Sequence, residues 1–391
     1  LKQAPRLNFW RPPTDNDIRD RNGQPKWESY GLDSIRFEVA DYFSEKVNSN
    51  TVNINFVLQG INPKGKKMFD VFQTYTIYSS GDIQLTNDIK ISEEIEALAK
   101  IGIQMQLPEE FDNVRWFGKG PFGTYPDRNS AGIVDVYNMT VKEMWHDYSK
   151  PQENGNRSEV RWATITNDEG YGLFVESENH FNISAHNFTD KHIFDAQHIN
   201  ELEKSDFVTF NIDYRQAGLG TATCGPGVLE QYVIKQKLAR FQLRLKVTNL
   251  NRQLPQKLVI QELPEYVAHY LPAPVVIAES EYFNNPIEVQ MKVDYRDVEI
   301  RYTTDGSIPT IESELYTGPL TVNQSMIINA RCFKEGKLPG FTTTKELHYI
   351  QAKEIDFGFP PSSRYSGGHA FALMDGKFGD LASVQQNWVG F

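Results

Sequence analysis

The sequence of 391 residues predicts an all-β chain with a large antiparallel sandwich followed by a smaller one. Apolar and polar residues alternate in many short stretches, which is the pattern of half-buried strands. Aromatic residues make up 12% of the chain, led by 24 Phe and 18 Tyr, and these side chains favour strands. Before residue 250, only residues 190–203 predict a helix. These features indicate sheets packed face to face, in about two or three domains for this length.

The large sandwich is expected to begin near Ile35, because four prolines in residues 1–30 predict irregular structure there. Residues 52–58 alternate as a half-buried strand, with the apolar side chains inward. Residues 69–78 and 83–91 keep this alternation on either side of a Ser-Ser-Gly-Asp turn, and so predict a hairpin. Later strands are expected at residues 101–107, 113–118, 171–176, 182–185, 207–214 and 228–247.

Residues 274–350 are predicted to form the second unit. It follows residues 1–250 after a proline-containing connection at residues 251–273, in which residues 258–260 have some strand character. Its short strands are separated by turns about every ten residues, which is typical of a small two-sheet sandwich. The strands are expected at residues 289–293, 298–302, 320–322 and 327–333.

Composition narrows the range of partners. The net charge of -11 disfavours nucleic acid and anionic membranes, and the chain has no run of about 18 apolar residues that would predict a membrane span. Cys224 and Cys332 lie in different predicted domains, so neither a disulfide framework nor a metal site is expected, and each is interpreted as a small buried apolar residue. No cofactor is implied, because the glycine-rich residues 218–227 precede a predicted strand instead of a helix.

Two loops within residues 114–165 concentrate aromatic, charged and amide side chains. They are GKGPFGTYPDR at residues 118–128 and KPQENGNR at residues 150–157. Such a mixture suits a sugar or the loops of another domain, and it equally suits a self-satisfied buried polar network, which is the favoured interpretation for any single residue. The candidate structural or interface residues in these loops are Tyr125, Asp127, Arg128 and Arg157. An N-terminal arm adds candidates that could clamp a neighbouring domain, namely Trp10, Arg11, Asp15 and Asp17.

The same stretch carries a family resemblance. The motif G-P-x-x-x-Y-P-D-R, followed by P-x-E-N-G-x-R, resembles the C-terminal β-sandwich of family 2 glycoside hydrolases of the β-galactosidase type. NFWRPPTDND at residues 8–17 resembles the segment that opens that sandwich, and GLGTATCGPG at residues 218–227 resembles a later loop of it. The resemblance covers roughly residues 1–250 and implies a mutarotase-like antiparallel supersandwich.

This resemblance implies the non-catalytic C-terminal part of a retaining glycosidase. In the family, both catalytic glutamates come from a TIM barrel, which we expect before Leu1, so no residue here is assigned as catalytic. The sandwich packs beside the barrel and lends the active-site mouth a loop that matches residues 218–227. Where the best-known members carry a sugar-stacking tryptophan this chain has Gly225, so the loop is expected either to shape the pocket through its backbone or to be a plain turn. The substrate-binding candidates are Glu153, Asn154, Thr223, Cys224 and Gly225.

Two further resemblances lie downstream. YTTDGSIPT and LYTGPL, at residues 302–310 and 315–320, resemble the Ig-like C-terminal module of chitobiases and β-hexosaminidases. ALMDG and NWVGF, within residues 351–391, resemble the start of a discoidin-like module. Such modules favour a periplasmic or extracellular parent enzyme. The first residues resemble neither an initiator methionine nor a signal peptide, so we expect a fragment. Its expected partners are its own barrel and a β-galactoside or another carbohydrate.

Two other functions are also compatible with the sequence. The first is an independent carbohydrate-binding region. Its candidate aromatic residues are Trp145, Tyr148, Tyr302 and Tyr316. The second is an aldose epimerase that uses a histidine as acid and a carboxylate as base. Its candidates are His180 and His186 with Glu176 or Glu178.

Overall fold

The computed structural model describes residues 1–263 and 270–350. The chain divides into two compact units whose boundary falls within residues 264–269. The domain boundaries at residues 250 and 274 stay predictions, since this division falls between them. The discoidin-like stretch predicted at residues 351–391 lies outside the described residues.

The described part of the first unit contains twelve strands and five short α-helices. The strands are β1 (Gln3–Asn8), β2 (Arg36–Asn48), β3 (Thr51–Ile61), β4 (Lys67–Tyr78), β5 (Asp82–Ile91), β6 (Lys100–Pro108), β7 (Asn113–Gly120), β8 (Ile133–Thr140), β9 (Arg157–Thr166), β10 (Tyr171–His186), β11 (Phe207–Gln216) and β12 (Leu238–Asn249). The helices are α1 (Asp15–Arg19), α2 (Gln24–Tyr30), α3 (Val141–Met144), α4 (Asp190–Asp195) and α5 (Pro255–Val259).

All twelve strands belong to one sheet in which every neighbouring pair is antiparallel. The main path runs β1-β6-β11-β10-β12-β5-β4-β3-β2, and β7, β8 and β9 join it through the pairing of β9 with β10. The sheet branches on β10, because residues 171–176 pair with β12 while residues 182–186 pair with β11. An irregularity between Glu176 and Phe181 separates the two halves. Residues 182–186 consequently lie beside β11, where the candidate site is built.

The predicted hairpin of residues 69–78 and 83–91 is confirmed. β4 and β5 pair in register from Phe69 with Ile91 to Ile77 with Ile83, around the left-handed Gly81. Most of its alternating apolar residues enter the core, where Val71 and Leu85 are fully buried, whereas Ile77 near the turn is 37% exposed. Consistent parity on both strands and a glycine turn were sufficient to set this register.

The prediction that the apolar side chains of residues 52–58 face the core is wrong. Val52 is 39% exposed, whereas Asn53 and Asn55 are 1% and 0% exposed. The two amides are bound across the β3–β4 pair, because the hydroxyl of Thr76 donates to Asn53 Oδ1 and that of Thr74 to Asn55 Oδ1, both at 2.8 Å. Cross-strand hydrogen bonds thus allow the polar positions to be buried.

The N-terminal 30 residues are more regular than predicted. β1 pairs with β6, and Thr14 begins α1 with a capping box in which Thr14 and Asp17 bind each other's backbone N–H. Pro25 lies in the first turn of α2, where its missing N–H costs nothing, and the helix ends at the left-handed Gly31. Proline and glycine therefore bound short helices here instead of preventing them.

Other predicted elements shift for local reasons. The helix predicted at residues 190–203 ends at Asp195, and only a single 3₁₀ turn follows at Ile199–Glu201. The strand predicted from residue 228 begins at Leu238, after a 3₁₀ turn at Glu230–Tyr232. The strand character at residues 258–260 is wrong, since α5 begins with a proline in its first turn.

The second unit contains eight short strands in its described residues, arranged in two sheets. The strands are β13 (Val275–Ala278), β14 (Tyr282–Phe283), β15 (Ile287–Lys292), β16 (Glu299–Thr303), β17 (Glu314–Leu315), β18 (Leu320–Val322), β19 (Met326–Phe333) and β20 (Thr343–Tyr349). One sheet runs β13-β15-β18 and the other β14-β20-β19-β16-β17, with Val289, Ile328 and Leu347 buried in the core. The predicted all-β class, a large antiparallel unit followed by a small sandwich, is confirmed.

Candidate functional site at a junction of four segments

Four segments of the first unit meet at one place, which we call the junction; they are residues 8–20, 118–128, 150–157 and 218–227. The backbone N–H of Glu153 donates to the carbonyl of Pro12 at 3.2 Å, and the hydroxyl of Tyr125 donates to Glu153 Oε1 at 3.2 Å. The carboxylate of Asp127 accepts the backbone N–H of Leu219 at 2.8 Å. Motifs that are distant in the sequence therefore form one constellation.

The junction lies against a polar face of the sheet. Gln104, Asn211 and Ser184 stand side by side on β6, β11 and β10. Gln104 donates to Asn211 at 3.0 Å, and Asn211 donates to Ser184 at 3.1 Å. Ile103 and Ile212 alternate with them and enter the apolar core, so the polar residues form the opposite face. Both faces of the sheet are buried here, and contacts such as Gln216 Nε2 to Glu153 Oε1 at 3.4 Å join the polar face to the junction.

A buried ion pair holds the centre of this polar face. Lys100 Nζ lies 3.4 Å from Asp213 Oδ2 and donates to Asn211 Oδ1 at 3.0 Å. Burial raises the pKa of Asp213 to about 6, and the ammonium of Lys100 opposes that rise. His186 Nε2 lies 3.6 Å from Asp190 Oδ1, and burial lowers the pKa of His186 to about 4, so this imidazole is neutral at pH 7.

The site residues predicted from the sequence did not include Lys100, Asp213 or Asp190. The available signal was the placing of polar residues at alternate positions in residues 100–104 and 211–213. Such alternation was taken as the solvent-facing side of each strand, which is its ordinary meaning. Only the knowledge that another segment covers the sheet could have changed that interpretation.

Arg11 is the central cation of the junction and is fully buried. Its guanidinium binds both carboxylate oxygens of Asp17, at 2.8 and 3.2 Å. It also donates to the carbonyls of Ala217 at 2.9 Å and Gly218 at 2.8 Å, and it lies 5.9 Å from the centre of the Tyr125 ring. A planar guanidinium can make all these bonds at once, so Arg11 joins the arm to the start of the 218–227 loop.

Side chains from other segments hold the backbone of that loop. Asp127 accepts N–H groups from Leu219 and Gly220 at 2.8 and 2.7 Å. Asn16 donates to the carbonyl of Gly220 at 3.0 Å and accepts the N–H of Thr223 at 3.1 Å. Gly220 has φ +60°, a left-handed conformation that favours glycine. The conformation of the loop is therefore determined by residues outside it.

The tip of the loop faces solvent. The N–H groups of Cys224 and Gly225 both donate to the carbonyl of Thr221, at 3.0 and 2.7 Å, which makes a tight turn. Thr223, Cys224 and Gly225 are exposed, so the interpretation of Cys224 as a buried apolar residue is wrong, whereas Cys332 is buried. A Cβ atom at Gly225 would lie 2.6 Å from Thr221 Oγ1, so a larger residue at this position, where the best-known family members carry tryptophan, would require the Thr221 side chain to move.

Glu153 is enclosed, although it was a substrate-binding candidate. It is 8% exposed and its Oε1 accepts from Tyr125 and Gln216. Burial raises its pKa to about 7, and the nearby cations Lys100 and Arg11 oppose this effect. A carboxyl held in this way can take up a proton near neutrality, but it is not open to a sugar from solvent.

The remaining candidates have structural contacts. Asn154 is buried and binds both backbone groups of His146, at 2.9 and 3.2 Å. Arg157 is buried and donates to the carbonyl of Gly155 at 2.8 Å. Trp10 is buried with its ring edge-on to that of Phe194. Asp15 and Arg128 are exposed.

The structure does not bring the epimerase candidates together. Glu176 is bound to Arg244 at 2.8 Å, and His186 faces Asp190. Glu178 and His180 are exposed in the irregular part of β10.

The aromatic candidates for an independent binding region are also dispersed between the two units. Trp145 packs on Phe188 and Tyr148 is exposed, both in the first unit. In the second unit Tyr302 is buried in the core and Tyr316 is half-buried.

Within residues 1–263 and 270–350 there is no group of three or more His, Cys, Asp or Glu side chains that could hold a metal ion. None of the helices in those ranges is both long and apolar enough to cross a membrane.

Comparison with known proteins places the first unit in a class of non-catalytic β-domains associated with glycoside hydrolases. Comparison gives the family: residues 1–245 match the description "Beta galactosidase small chain", and the chain belongs to that family. Residues 278–344 match "Chitobiase/beta-hexosaminidase C-terminal domain". Both family predictions are confirmed.

Curated relatives agree over the first unit. The beta-galactosidase of Staphylococcus xylosus is 29% identical over 246 residues, which are 63% of this chain and 24% of that protein. The beta-galactosidase of Lactobacillus delbrueckii subsp. bulgaricus is 31% identical over 258 residues, covering 64% of this chain and 24% of that protein. The chain therefore spans about a quarter of the length of these relatives.

Among solved structures, a galactose 1-epimerase from Lactobacillus acidophilus NCFM matches with a TM-score of 0.33 and 8% identity, covering 53% of this chain and 66% of that one. A likeness at this level carries no argument about the reaction.

Proposed function

We propose that this chain is the non-catalytic C-terminal part of a retaining β-galactosidase-like glycoside hydrolase. It supports a catalytic barrel and lends the 218–227 loop to the pocket that holds a β-galactoside. The observation that carries this proposal is the junction, where Arg11, Asp127 and Asn16 hold the backbone of a loop whose tip is left exposed. The appended second unit supports a parent enzyme that acts in the periplasm or outside the cell.

The arrangement of the buried carboxylates supports a non-catalytic role. Retaining glycosidases need two carboxyl groups about 5 to 5.5 Å apart and open to the substrate. Among the residues that the structure describes, Glu153 is the only buried glutamate, and its side chain is bound to Tyr125 and Gln216. Its neighbours on the polar face are engaged in the same network. The junction is therefore suited to positioning and not to bond cleavage.

The 218–227 loop has the fixed conformation that a preorganised wall of a substrate pocket needs. Catalytic sites need their supporting groups fixed to within about half an ångström, and loops achieve this only when other segments hold them. Here the carboxylate of Asp127 and the amide of Asn16 hold the first half of the loop. At its other end, Asp20 Oδ2 accepts the N–H of Val228 at 2.5 Å. The tip then presents backbone and small side chains instead of an aromatic ring.

The test is hydrolysis of an aryl β-galactoside by the purified chain, alone and after mixing with the catalytic portion of the same enzyme. We expect no turnover by the chain alone and activity on mixing. Turnover by the chain alone would overturn the proposal, and so would full activity of the catalytic portion without the chain.

A matched pair of variants tests the loop itself. Asn16→Ala removes the contacts to Gly220 and Thr223, and we expect it to lower kcat/KM of the mixed enzyme about tenfold. Asn251→Ala removes one comparable side-chain bond, to the carbonyl of Glu169, and should leave kcat/KM unchanged. Equal effects of the two variants would remove the role assigned to the loop.

A further inference from the structure

The second unit carries an open groove of about 550 Å³ that the proposed function does not use. Its lining includes the rings of Tyr295 and Tyr316, the charged residues Lys292, Asp297 and Glu299, and the aliphatic side chain of Leu315. Ligand pockets commonly enclose about 300–1,000 Å³ and combine apolar walls with a few polar groups. In size and in the mixture of its lining, the groove fits a short oligomeric ligand.

The groove follows from the way β15 and β16 are joined. The connection at residues 293–298 forms one wall, and β17 with Tyr316 forms the other. The backbone N–H of Tyr316 donates to the carbonyl of Ile300 at 2.8 Å, which fixes this wall on β16. Asp297 has φ +54°, a conformation uncommon for residues other than glycine. Aspartate is among the few residues that adopt this left-handed conformation readily, and here it shapes the turn between β15 and β16.

The two tyrosines are not simply core residues. Tyr302, on β16, is 5% exposed and belongs to the apolar core. Tyr295 and Tyr316 are half-buried, pack against that core and also line the groove. Lys334 Nζ lies 5.4 Å from the centre of the Tyr295 ring, which helps to fix the ring. Half-buried rings that line a groove can contact a ligand with little loss of side-chain entropy.

The charges of the lining point to a neutral ligand. Asp297 and Lys292 are exposed and opposite in charge, and Glu299 is bound to Arg301 at 2.5 Å. Carboxylates accept hydrogen bonds from hydroxyl groups, and an ammonium donates to ring or hydroxyl oxygens. A ligand with either charge would meet repulsion from one part of the lining, whereas a polyhydroxylated neutral ligand bonds to both signs.

We infer that this groove binds a neutral hexose-based glycan through stacking on Tyr295 and Tyr316 and hydrogen bonds to Asp297 and Lys292. This site lies in a different unit from the junction and does not depend on the catalytic partner. It gives the second unit a function of its own, namely holding a polysaccharide while other parts of the enzyme act.

The test uses affinity electrophoresis of the full chain in gels that contain β-1,4-galactan, galactomannan or glycol chitin, with polygalacturonate as the anionic comparison. We expect retardation by at least one neutral glycan and none by polygalacturonate. Tyr316→Ala should weaken binding at least tenfold, Tyr316→Phe should change it less than threefold because the ring remains, and Tyr148→Ala in the first unit should have no effect.

Folding of the variants is checked through Cys332, which is buried in the core of the second unit. Continued protection of this thiol from a thiol reagent shows that the unit is folded. If Tyr316→Ala loses that protection, the test uses variants at the exposed residues Lys292 and Asp297 instead. Lys292→Ala and Asp297→Asn should each weaken binding at least threefold. Absence of retardation by all three neutral glycans would overturn the inference. The inference would also be overturned if the variants at Lys292 and Asp297 were retarded as strongly as the wild type, and if a folded Tyr316→Ala variant were too.

Discussion

The two units bury different kinds of side chain. In the first, Arg11, Lys100, Asp17 and Asp213 are all at most 2% exposed. Between residues 270 and 350 no charged side chain is buried, and Asn329 is the only buried polar residue. Both units nevertheless have a continuous apolar core. The difference is therefore that the first unit also buries polar and charged groups. One such layer lies where the four segments meet, and another group, Asp82 with Arg244, lies elsewhere.

The comparison of the two units shows what buried charges contribute to the first one. A buried ion pair seldom stabilises a fold more than apolar residues of the same shape, because desolvation offsets the attraction. It does require defined partners, so it specifies geometry. In the first unit the partners of Arg11 are the carbonyls that start the 218–227 loop. In its described residues, 270–350, the second unit has a mainly apolar core in place of such a layer.

The largest expected effect comes from removing a charge from the polar layer. Lys100→Met leaves the carboxylate of Asp213 buried beside Asn211 without its cation. Breaking a buried pair in this way costs about 3–5 kcal/mol. We expect that loss in the free energy of unfolding of the first unit, measured by urea denaturation at pH 7.

The control lies in the second unit. Lys345→Met removes a surface ion pair with Glu281, whose side chain is 58% exposed. Such pairs contribute about 0–1 kcal/mol, so this variant should unfold almost like the wild type. If both lysine variants had the same cost, the contrast between the two units would be lost.

Apolar truncation should affect the two units alike. Ile103 and Ile328 are both fully buried, one in each core. Ile→Ala at either position is expected to cost about 2–5 kcal/mol, because a cavity is added to the lost burial. Separate unfolding transitions in calorimetry report the two values. A much smaller cost at Ile328 would show that the second core is loosely packed.

The next effect is a pH dependence confined to the first unit. Burial raises the pKa of Glu153 to about 7, from 4.5 in an exposed carboxyl. The folded chain thus retains a proton that the unfolded chain releases between these values, so wild-type stability falls as pH rises from about 4.5 to 7. His186, with its pKa lowered to about 4, acts in the opposite sense up to pH 6.5.

Glu153→Gln isolates the carboxyl from the histidine. Glutamine keeps the acceptor for Tyr125 but cannot titrate. Relative to this variant, the wild type is expected to lose about 2 kcal/mol of stability between pH 5 and pH 8. Chemical denaturation of both proteins across this range measures the difference. A difference that stays constant with pH would contradict proton uptake by Glu153.

The smallest expected effect concerns the loop. Asp127→Ala removes the acceptor for the N–H groups of Leu219 and Gly220, which should cost about 1 kcal/mol. Hydrogen exchange of these two amides should then accelerate about tenfold or more. Asp135→Ala, at an exposed aspartate that accepts the N–H of Val136, is the matched control and should leave the loop amides unchanged. Unchanged exchange in Asp127→Ala would show that the loop holds itself.

The sequence predicted features that depend on neighbouring residues better than features that depend on distant ones. The β4–β5 hairpin follows from parity and one glycine turn. The burial of Asn55, by contrast, depends on Thr74 in the next strand, and that of Lys100 depends on segments more than fifty residues away. Family resemblance located the candidate loops, but a single sequence does not show that Arg11 and Asp127 hold the same loop from two sides. That depends on topology.

Gly225 couples the chemistry of the exposed tip to the residue that closes the turn. A Cβ atom at position 225 would lie 2.6 Å from Thr221 Oγ1, so a larger residue there would require the Thr221 side chain to rotate or to be replaced by a smaller one. Rotation would break the hydrogen bond from the Thr221 hydroxyl to the carbonyl of Pro226. An aromatic residue at the tip would therefore have to be introduced together with a change at Thr221.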